Sequence, residues 1–203
     1  MIYGIIPNSL VDYPNDLSFV IFFGGCNFRC GYCHNKSIVF KTSDEIFENE
    51  VLSMLDDRKK FIKSVVITGG EPTIYNNKLI EFIKKIKDLG FKVKLDTNGT
   101  NPKVLKELID NKLLDFIAMD IKNVFSKYNS TCGVKVDINK IKESIKLIEN
   151  SNVSHLFRST INKKMHTSDD IIEMNTYIKS ELLIQDYKYS KEQLIDIDYS
   201  IGD

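Results

Sequence analysis

The 203-residue sequence contains no long hydrophobic run. No segment approaches the roughly 20 consecutive apolar residues that a membrane-spanning helix needs, so we expect no membrane span. The first 16 residues have no basic region ahead of their apolar residues, which Pro7, Asp12 and Asp16 interrupt. This pattern is atypical of a secretory signal peptide, so we expect a cytoplasmic protein whose thiols stay reduced.

An excess of charge of either sign is also absent. Lysine and arginine total 28, aspartate and glutamate total 28, and the formal net charge is zero. A dedicated nucleic-acid-binding protein would carry a basic excess, so we expect no nucleic-acid partner. Arginine itself is scarce, because only Arg29, Arg58 and Arg158 stand among the 28 basic residues.

Short apolar runs alternate with amphipathic segments along the chain. The predicted strands cover residues 18–25, 64–70, 91–99, 114–121, 153–160 and 181–187, and the predicted helices cover residues 44–58, 77–89, 101–111, 137–150 and 168–180. Strands that alternate with helices through short connections indicate a parallel sheet with right-handed crossovers.

The length of the chain narrows the choice of α/β fold. A closed eight-unit barrel usually needs about 250 residues. We therefore predict an α/β fold in the form of a partial (β/α)6 TIM-like barrel with parallel strands. A flat doubly wound sheet is the alternative. Residues 1–187 would form this domain, and residues 188–203 would form a polar C-terminal tail. Asp12 and Tyr13 would either cover the barrel mouth or have only a structural role in packing.

Glycines and polar residues follow five consecutive predicted strands. These strand ends read Gly24-Gly25-Cys26, Thr68-Gly69-Gly70-Glu71, Asp96-Thr97-Asn98-Gly99, Asp120-Ile121-Lys122 and Arg158-Ser159-Thr160. Glycine and aspartate also make ordinary turns and helix caps. In parallel α/β folds, however, ligands bind at the carboxyl ends of the strands, so five such strand ends together predict a binding site.

Three of the four cysteines lie within eight residues, in the sequence CNFRCGYC. Three thiolates on one short loop can converge on three corners of a 4Fe–4S cubane and leave the fourth iron open to a substrate. A ferredoxin-type cluster would need a fourth cysteine, for which Cys132 is the only candidate. Three simpler interpretations compete with a cluster, namely zinc held with His34, covalent haem at the C-x-x-C-H sequence that ends in His34, and three unrelated thiols.

Taken together, these motifs resemble those of a known family. CNFRCGYC is similar to the signature of the radical S-adenosylmethionine (SAM) superfamily, and GGEP at residues 69–72 resembles its SAM-binding stretch. SLVDYP, GCNFRCGYCHN, ITGGEPT, KLDTNGTNP and AMDIK, in this order, resemble the activating enzymes of glycyl-radical proteins, of the type that activates anaerobic ribonucleoside-triphosphate reductase.

The resemblance implies a role for each motif residue. Cys26, Cys30 and Cys33 would bind a 4Fe–4S cluster whose fourth iron SAM chelates. The other motif residues would bind SAM. Its adenine would lie near Tyr32, its methionine amino group at Gly69, Gly70 and Glu71, and its ribose and methionine at Asp96, Thr97 and Asn98. Its carboxylate and sulfonium would lie beside Asp120 and Lys122, while Arg158 would bind a carboxylate and His166 would lie near the ribose or adenine.

The function implied is reductive cleavage of SAM to a 5′-deoxyadenosyl radical, which would generate a glycyl radical on a partner enzyme, anaerobic ribonucleotide reductase first of all. A low-potential electron donor such as flavodoxin would be required. Two different functions stay open. The protein could be a radical SAM enzyme that acts on a small molecule, such as a 7-carboxy-7-deazaguanine synthase. Alternatively, it could be an iron–sulfur module for electron transfer or regulation.

Overall fold

The computed structural model of the protein describes residues 1–188. In chain order its elements are β1 (Ile2–Tyr13), β2 (Asp16–Phe23), α1 (Lys36–Phe40), α2 (Glu48–Arg58), β3 (Ser64–Gly69), α3 (Asn77–Asp88), β4 (Lys92–Thr97), α4 (Pro102–Asp110), β5 (Phe116–Asp120), α5 (Tyr128–Cys132), α6 (Ile138–Glu149), β6 (Ser154–Ile161), α7 (Ser168–Asn175) and β7 (Leu182–Asp186). Single 3-10 turns lie at Pro72–Tyr75 and Phe125–Lys127.

The seven strands among residues 1–188 form one sheet in the order β1-β2-β3-β4-β5-β6-β7. From β2 to β7 every neighbouring pair is parallel, whereas β1 is antiparallel to β2. Within the part of the chain that the structure describes, no further strand pairs with the outer side of β1 or of β7, so the barrel is open between them. The predicted α/β fold with six parallel strands is thus confirmed, and β1 is an addition to it.

The helices pack on the outer face of the sheet. Helix α3 shows how the sequence produces this layer, because its five buried residues (Leu79, Ile80, Phe82, Ile83 and Ile86) recur at the helical period while lysines cover its other face. The ring of Phe82 lies 5.9 Å from that of Phe23 on β2. Burying one such side chain stabilises the fold by about 1.5–3 kcal/mol, so the contact between α3 and the sheet contributes strongly to the stability of the fold.

The β1–β2 hairpin closes the floor of the barrel. Its turn passes through Asn15, whose φ of 61° suits asparagine better than most side chains. The ring of Tyr13 packs against Phe116 inside the barrel, and the Lys94 ammonium donates to the carbonyl of Asp12 over 2.7 Å. Because these contacts lie at the amino-terminal ends of the parallel strands, the alternative that Asp12 and Tyr13 cover the barrel mouth is wrong.

Most predicted element boundaries lie within three residues of those in the structure. Helix α2 begins at Glu48 rather than near residue 44, because Ile46 forms an isolated β-bridge with Ile2 on the edge strand. Helices α1 and α5 were not expected. None of the helices among residues 1–188 is long and apolar enough to cross a membrane. Apart from Lys188, the expected tail lies outside the described residues.

Candidate functional site

A cavity of about 680 Å³ opens at the carboxyl ends of the parallel strands. Twelve of the fourteen residues singled out from the sequence line it, namely Cys26, Cys30, Tyr32, Cys33, Gly69, Gly70, Asp96, Thr97, Asn98, Asp120, Lys122 and Arg158. Glu71 and His166 do not. The structure therefore brings together, in one cavity, residues that five strand ends and one loop contribute.

The cysteine loop follows β2 directly and is folded by its own hydrogen bonds. The guanidinium of Arg29 donates to the carbonyls of Cys26 and Phe28 over 2.6 and 2.7 Å, and the amide of Cys33 donates to the carbonyl of Cys30 over 3.0 Å. These bonds turn the loop tightly enough for all three thiols to reach the cavity wall. Arg29, one of only three arginines in the chain, thus stabilises the loop by hydrogen bonds to the loop's own backbone.

The electrostatic surroundings of the loop thiols differ. Burial raises the pKa of the Cys26 thiol to about 12, and it also raises the pKa of Cys33. The neighbouring Cys132 thiol, in contrast, lowers the pKa of Cys30. Among residues 1–188, no three histidine, cysteine or acidic side chains converge closely enough to hold a single metal ion. Three thiolates of a cubane bind three different irons, so they need no such convergence.

The segment after β3 packs on the start of the cysteine loop. The amide of Gly70 donates to the carbonyl of Phe23 over 2.8 Å, and the amide of Glu71 donates to that of Gly25 over 2.9 Å. A Cβ atom on residue 70 would lie 1.9 Å from the carbonyl oxygen of Gly25, so no other residue fits there without a shift. Glycine at position 70 therefore serves the close approach of two backbones at the cavity wall.

Glu71 lies behind the cavity wall with its side chain fully buried. Its carboxylate accepts from the amide and hydroxyl of Thr73 over 3.1 and 2.5 Å, from the hydroxyl of Thr97 over 2.8 Å, and from the amide of Asn98 over 2.6 Å. Burial raises its pKa. In this structure Glu71 thus ties the ends of β3 and β4 together, and its oxygens do not face the cavity in which an ammonium group would lie.

Charged side chains of alternating sign cross the barrel interior beneath the cavity. Lys94 lies 2.9 Å from Asp96, Arg158 reaches Asp96 over 3.1 Å and Asp120 over 2.6 Å, and Lys122 reaches Asp120 over 2.8 Å. Three cations against two carboxylates leave this row with one positive charge in excess. The row can therefore accept one further anionic group, such as a ligand's carboxylate.

The acidic and basic side chains of this row stabilise one another's ionised forms. Burial alone would raise the pKa of Asp120, but Arg158 and Lys122 hold it well below its usual range. Asp120 in turn raises the pKa of Arg158, and it raises that of Lys122 against the opposite effect of burial. Asp120, Arg158 and Lys122 are therefore ionised at neutral pH.

His166 is buried beside the cavity and supports its wall. Its Nε2 lies 2.8 Å from the carbonyl oxygen of Lys122, while the amide of Asn162 points at its Nδ1 over 3.2 Å. The same Nδ1 also lies 3.2 Å from the carbonyl oxygen of Asn162, so both ring nitrogens contact the backbone. His166 thus holds the backbone of Lys122, and its ring nitrogens do not face the cavity.

Other residues that line the cavity had no predicted role, although Thr160 stood in one of the predicted strand ends. The amide of Asn35 donates to the carbonyl of Gly69 over 3.2 Å, and Thr160, Gln185 and Asp186 line the side of the cavity next to β7. Thr160 stands two residues after Arg158 on the same strand face. The period of two could therefore have found it, as it could have found Lys94 from Asp96.

The residues of the cavity fit an iron–sulfur cluster and SAM. Three thiols reach one wall, and the hydroxyl of Tyr32 is buried at the cavity without a hydrogen-bond partner among residues 1–188. A buried hydroxyl without a partner costs free energy unless a ligand completes it. Together with the excess positive charge below, these groups match a ligand that carries both polar and anionic parts.

Residues 20–177 match the family model of the radical SAM superfamily. The chain belongs to the radical SAM superfamily. It is an enzyme of this class, and its cofactors are a 4Fe–4S cluster and SAM.

Individual relatives are similar over different shares of their length. A protein of Methanocaldococcus jannaschii named as a glycyl-radical enzyme activating enzyme is 38% identical over 88% of this chain and 75% of its own. The pyruvate formate-lyase-activating enzyme of Clostridium pasteurianum is 32% identical over 61% of this chain and 52% of its own. The chain thus spans about half the length of that second relative.

Solved structures share the fold. The crystal structure of Streptococcus suis SuiB bound to S-adenosylmethionine superposes with a TM-score of 0.64 at 19% identity, over 85% of this chain and 43% of that one. At this level of identity the similarity concerns the fold alone, and it agrees with the partial barrel described above.

Proposed function

We propose that this radical SAM enzyme activates a glycyl-radical enzyme, with anaerobic ribonucleotide reductase as its partner. The observation that carries the proposal is the cavity itself, in which Cys26, Cys30 and Cys33 face the ionised row of Asp120 and Arg158. The relative that is 38% identical over 88% of this chain supports glycyl-radical activation as the reaction. The choice of reductase rests on the sequence motifs.

When bound, the cluster and SAM together supply a one-electron cleavage that yields methionine and a carbon radical able to remove a hydrogen atom from glycine. The protein's own residues bind and orient. Cys26, Cys30 and Cys33 would hold the cluster, while Arg158 and Lys122 would hold a carboxylate of SAM beside it. The hydroxyl of Tyr32 and the backbone of Gly69 would complete the polar contacts and exclude water.

The open side of the barrel suits a macromolecular substrate. Strands β1 and β7 do not pair, and the inward-facing Leu183 on β7 is 49% exposed. A glycine within a folded partner can reach the cavity only on an extended loop, and this open side gives such a loop room to enter. A low-potential donor such as flavodoxin would deliver the electron.

Deuterium transfer tests this proposal directly. Anaerobic ribonucleotide reductase labelled with deuterated glycine is incubated anaerobically with the reconstituted protein, SAM and reduced flavodoxin. We expect deuterium in the 5′-deoxyadenosine and a radical EPR signal on the reductase, whose hyperfine splitting differs from that of unlabelled reductase. Omitting the reductase should abolish both. Unlabelled 5′-deoxyadenosine without a reductase radical would exclude this partner.

A second candidate is the small-molecule reaction of a 7-carboxy-7-deazaguanine synthase. The enzyme of that name from Methanocaldococcus jannaschii is 24% identical over 86% of this chain and 69% of its own. The excess positive charge of the row formed by Lys94, Asp96, Arg158, Asp120 and Lys122 would also suit a small anionic substrate. Release of a deazaguanine product in the absence of any protein partner would favour this candidate.

A further inference from the structure

Asn27 stands directly after Cys26 in the cysteine loop, and the proposed function does not use it. Its side chain is exposed and does not line the cavity. It nevertheless reaches the end of β4, where its Oδ1 accepts from the side-chain amide of Asn98 over 2.9 Å and its own side-chain amide donates to the hydroxyl of Thr100 over 2.8 Å. These two bonds join the cysteine loop to a segment 71 residues further along the chain.

A third bond closes a ring of three side chains. The hydroxyl of Thr100 donates to Oδ1 of Asn98 over 2.7 Å, and the same oxygen accepts from the backbone amide of Thr100 over 3.0 Å. Around this Asn27–Asn98–Thr100 ring each side chain therefore donates to one neighbour and accepts from the other. Bonds arranged head to tail in this way polarise and strengthen one another.

The ring is anchored firmly on its strand side. Asn98 is buried at the cavity wall, and its backbone amide donates to the Glu71 carboxylate over 2.6 Å. Gly99, with a φ of +74°, makes the turn that brings Thr100 back to Asn98, and a Cβ atom on it would lie 2.1 Å from Cε of Met119. The ring thus fastens the mobile partner, the exposed side chain of Asn27, to a tightly packed strand end.

The position of the ring indicates what it does. Hydrogen bonds of an exposed side chain such as Asn27 add little to folding, because water can replace them. Asn27 follows Cys26, a proposed cluster ligand, whereas Asn98 follows Asp96 and Thr97 on a strand end proposed for SAM. A shift between the two segments would displace the cluster relative to SAM, and a binding site must hold its groups to within about 0.5 Å.

We propose that Asn27 and Thr100 are positioning residues, which hold the cysteine loop where the cluster and SAM can contact each other. The inference rests on the proposed binding of the cluster by Cys26, Cys30 and Cys33 and of SAM by the strand ends. Opening the ring leaves the three thiols on their loop, so the cluster should still be bound. SAM should bind less tightly, because the loop is no longer fixed against β4.

The test measures SAM binding by proteins that carry a full cluster. The wild type, Asn27→Ala, Thr100→Val and Thr100→Ser are reconstituted, and iron and sulfide are counted per chain. Asn111→Ala is the control, because Asn111 is an exposed asparagine after α4 whose side-chain amide donates to the carbonyl of Glu107 over 2.8 Å. The Kd for SAM is measured by anaerobic titration calorimetry with the oxidised cluster, which does not cleave SAM.

We expect Asn27→Ala and Thr100→Val to keep the cluster and to raise the Kd for SAM by about two- to tenfold, the effect of losing one hydrogen bond. Thr100→Ser keeps the hydroxyl, so its Kd should lie below that of Thr100→Val, and Asn111→Ala should bind SAM like the wild type. The double variant Asn27→Ala with Thr100→Val should raise the Kd by less than the product of the two single effects, because either change opens the same ring.

Three results would overturn the inference. A Kd like that of the wild type in both Asn27→Ala and Thr100→Val would leave the ring without influence on SAM, even if both variants unfold at lower urea concentrations. Equal Kd values for Thr100→Ser and Thr100→Val would show that the hydroxyl is unimportant. Loss of iron from Asn27→Ala, with a circular dichroism spectrum like that of the wild type, would make the ring a requirement for the cluster itself. If Asn27→Ala does not fold, the two Thr100 variants decide. Failure of the wild type to bind a cluster would instead refute the proposed function.

Discussion

Removing the Glu71 carboxylate should destabilise the protein before any cofactor binds. The two oxygens of Glu71 accept four hydrogen bonds, two from backbone amides and two from hydroxyls, at 2.5–3.1 Å. In Glu71→Ala the amides of Thr73 and Asn98 lose these partners, whereas the hydroxyls of Thr73 and Thr97 can rotate toward others. The two amides therefore determine the cost.

The structure sets the size of this effect. A buried donor left without a partner costs about 1–3 kcal/mol, so two amides cost about 2–6 kcal/mol. Water that enters from the neighbouring cavity would bring the loss into the lower half of this range. Glu71→Gln keeps one acceptor oxygen but turns an NH2 group toward the remaining donors, so we expect a loss of about 1–3 kcal/mol.

Urea unfolding of the cofactor-free protein under reducing conditions measures these differences. Glu81→Gln, on the exposed face of α3, serves as the control and should change the free energy of unfolding by less than about 0.5 kcal/mol. If Glu71→Ala unfolds at the same urea concentration as the wild type, Glu71 does not tie β3 to β4. A direct contact with the SAM ammonium would then be the better account of this residue.

Two further predictions follow from the cavity. Gly70→Ala should destabilise the protein by about 1–3 kcal/mol in the same urea assay, because its Cβ would lie 1.9 Å from the Gly25 carbonyl oxygen. In contrast, Gly4→Ala, with its nearest contact at 3.5 Å, should cost little, and equal losses would contradict this packing. The pKa of Asp120 is lower in the folded protein than its value of about 3.9 in the unfolded chain. Ionised Asp120 therefore stabilises the fold above this unfolded pKa, and the contribution is lost as the pH falls through the lower folded pKa. The difference in unfolding free energy between the wild type and Asp120→Asn should therefore be largest above pH 5 and shrink toward pH 2, and a constant difference would contradict the ion pairs.

The sequence was most informative where local patterns are strong. The apolar period of α3 and the compact runs of β3 and β5 located these elements to within two residues, because α3 is buried on one face and the two strands on both faces. Strand β1 was missed, since its exposed Leu10 and Val11 and its bulges weaken the period of two. Its pairing with β2 depends on the register of the hairpin, which composition does not reveal.

The residues of the cavity were predictable as a group, but their orientation was not. Strand ends determine which residues meet at the edge of the sheet, and twelve of the fourteen residues singled out do line one cavity. Whether a side chain faces that cavity depends on hydrogen bonds between distant segments. Glu71 turns toward the end of β4, and His166 turns toward the backbone of Lys122. Cys132 lies 102 residues from Cys30, so only the fold could show that its carbonyl accepts from the amide of Arg29 in the cysteine loop.

The central claim is that the three loop thiols and the strand-end residues form one site that cleaves SAM, and anaerobic product analysis tests it most directly. The wild type and Cys33→Ala are reconstituted with iron and sulfide, reduced with dithionite and given SAM. We expect 5′-deoxyadenosine and methionine in equal amounts from the wild type and neither from Cys33→Ala. A fully loaded wild-type cluster that leaves SAM intact, or full product formation by Cys33→Ala, would contradict it.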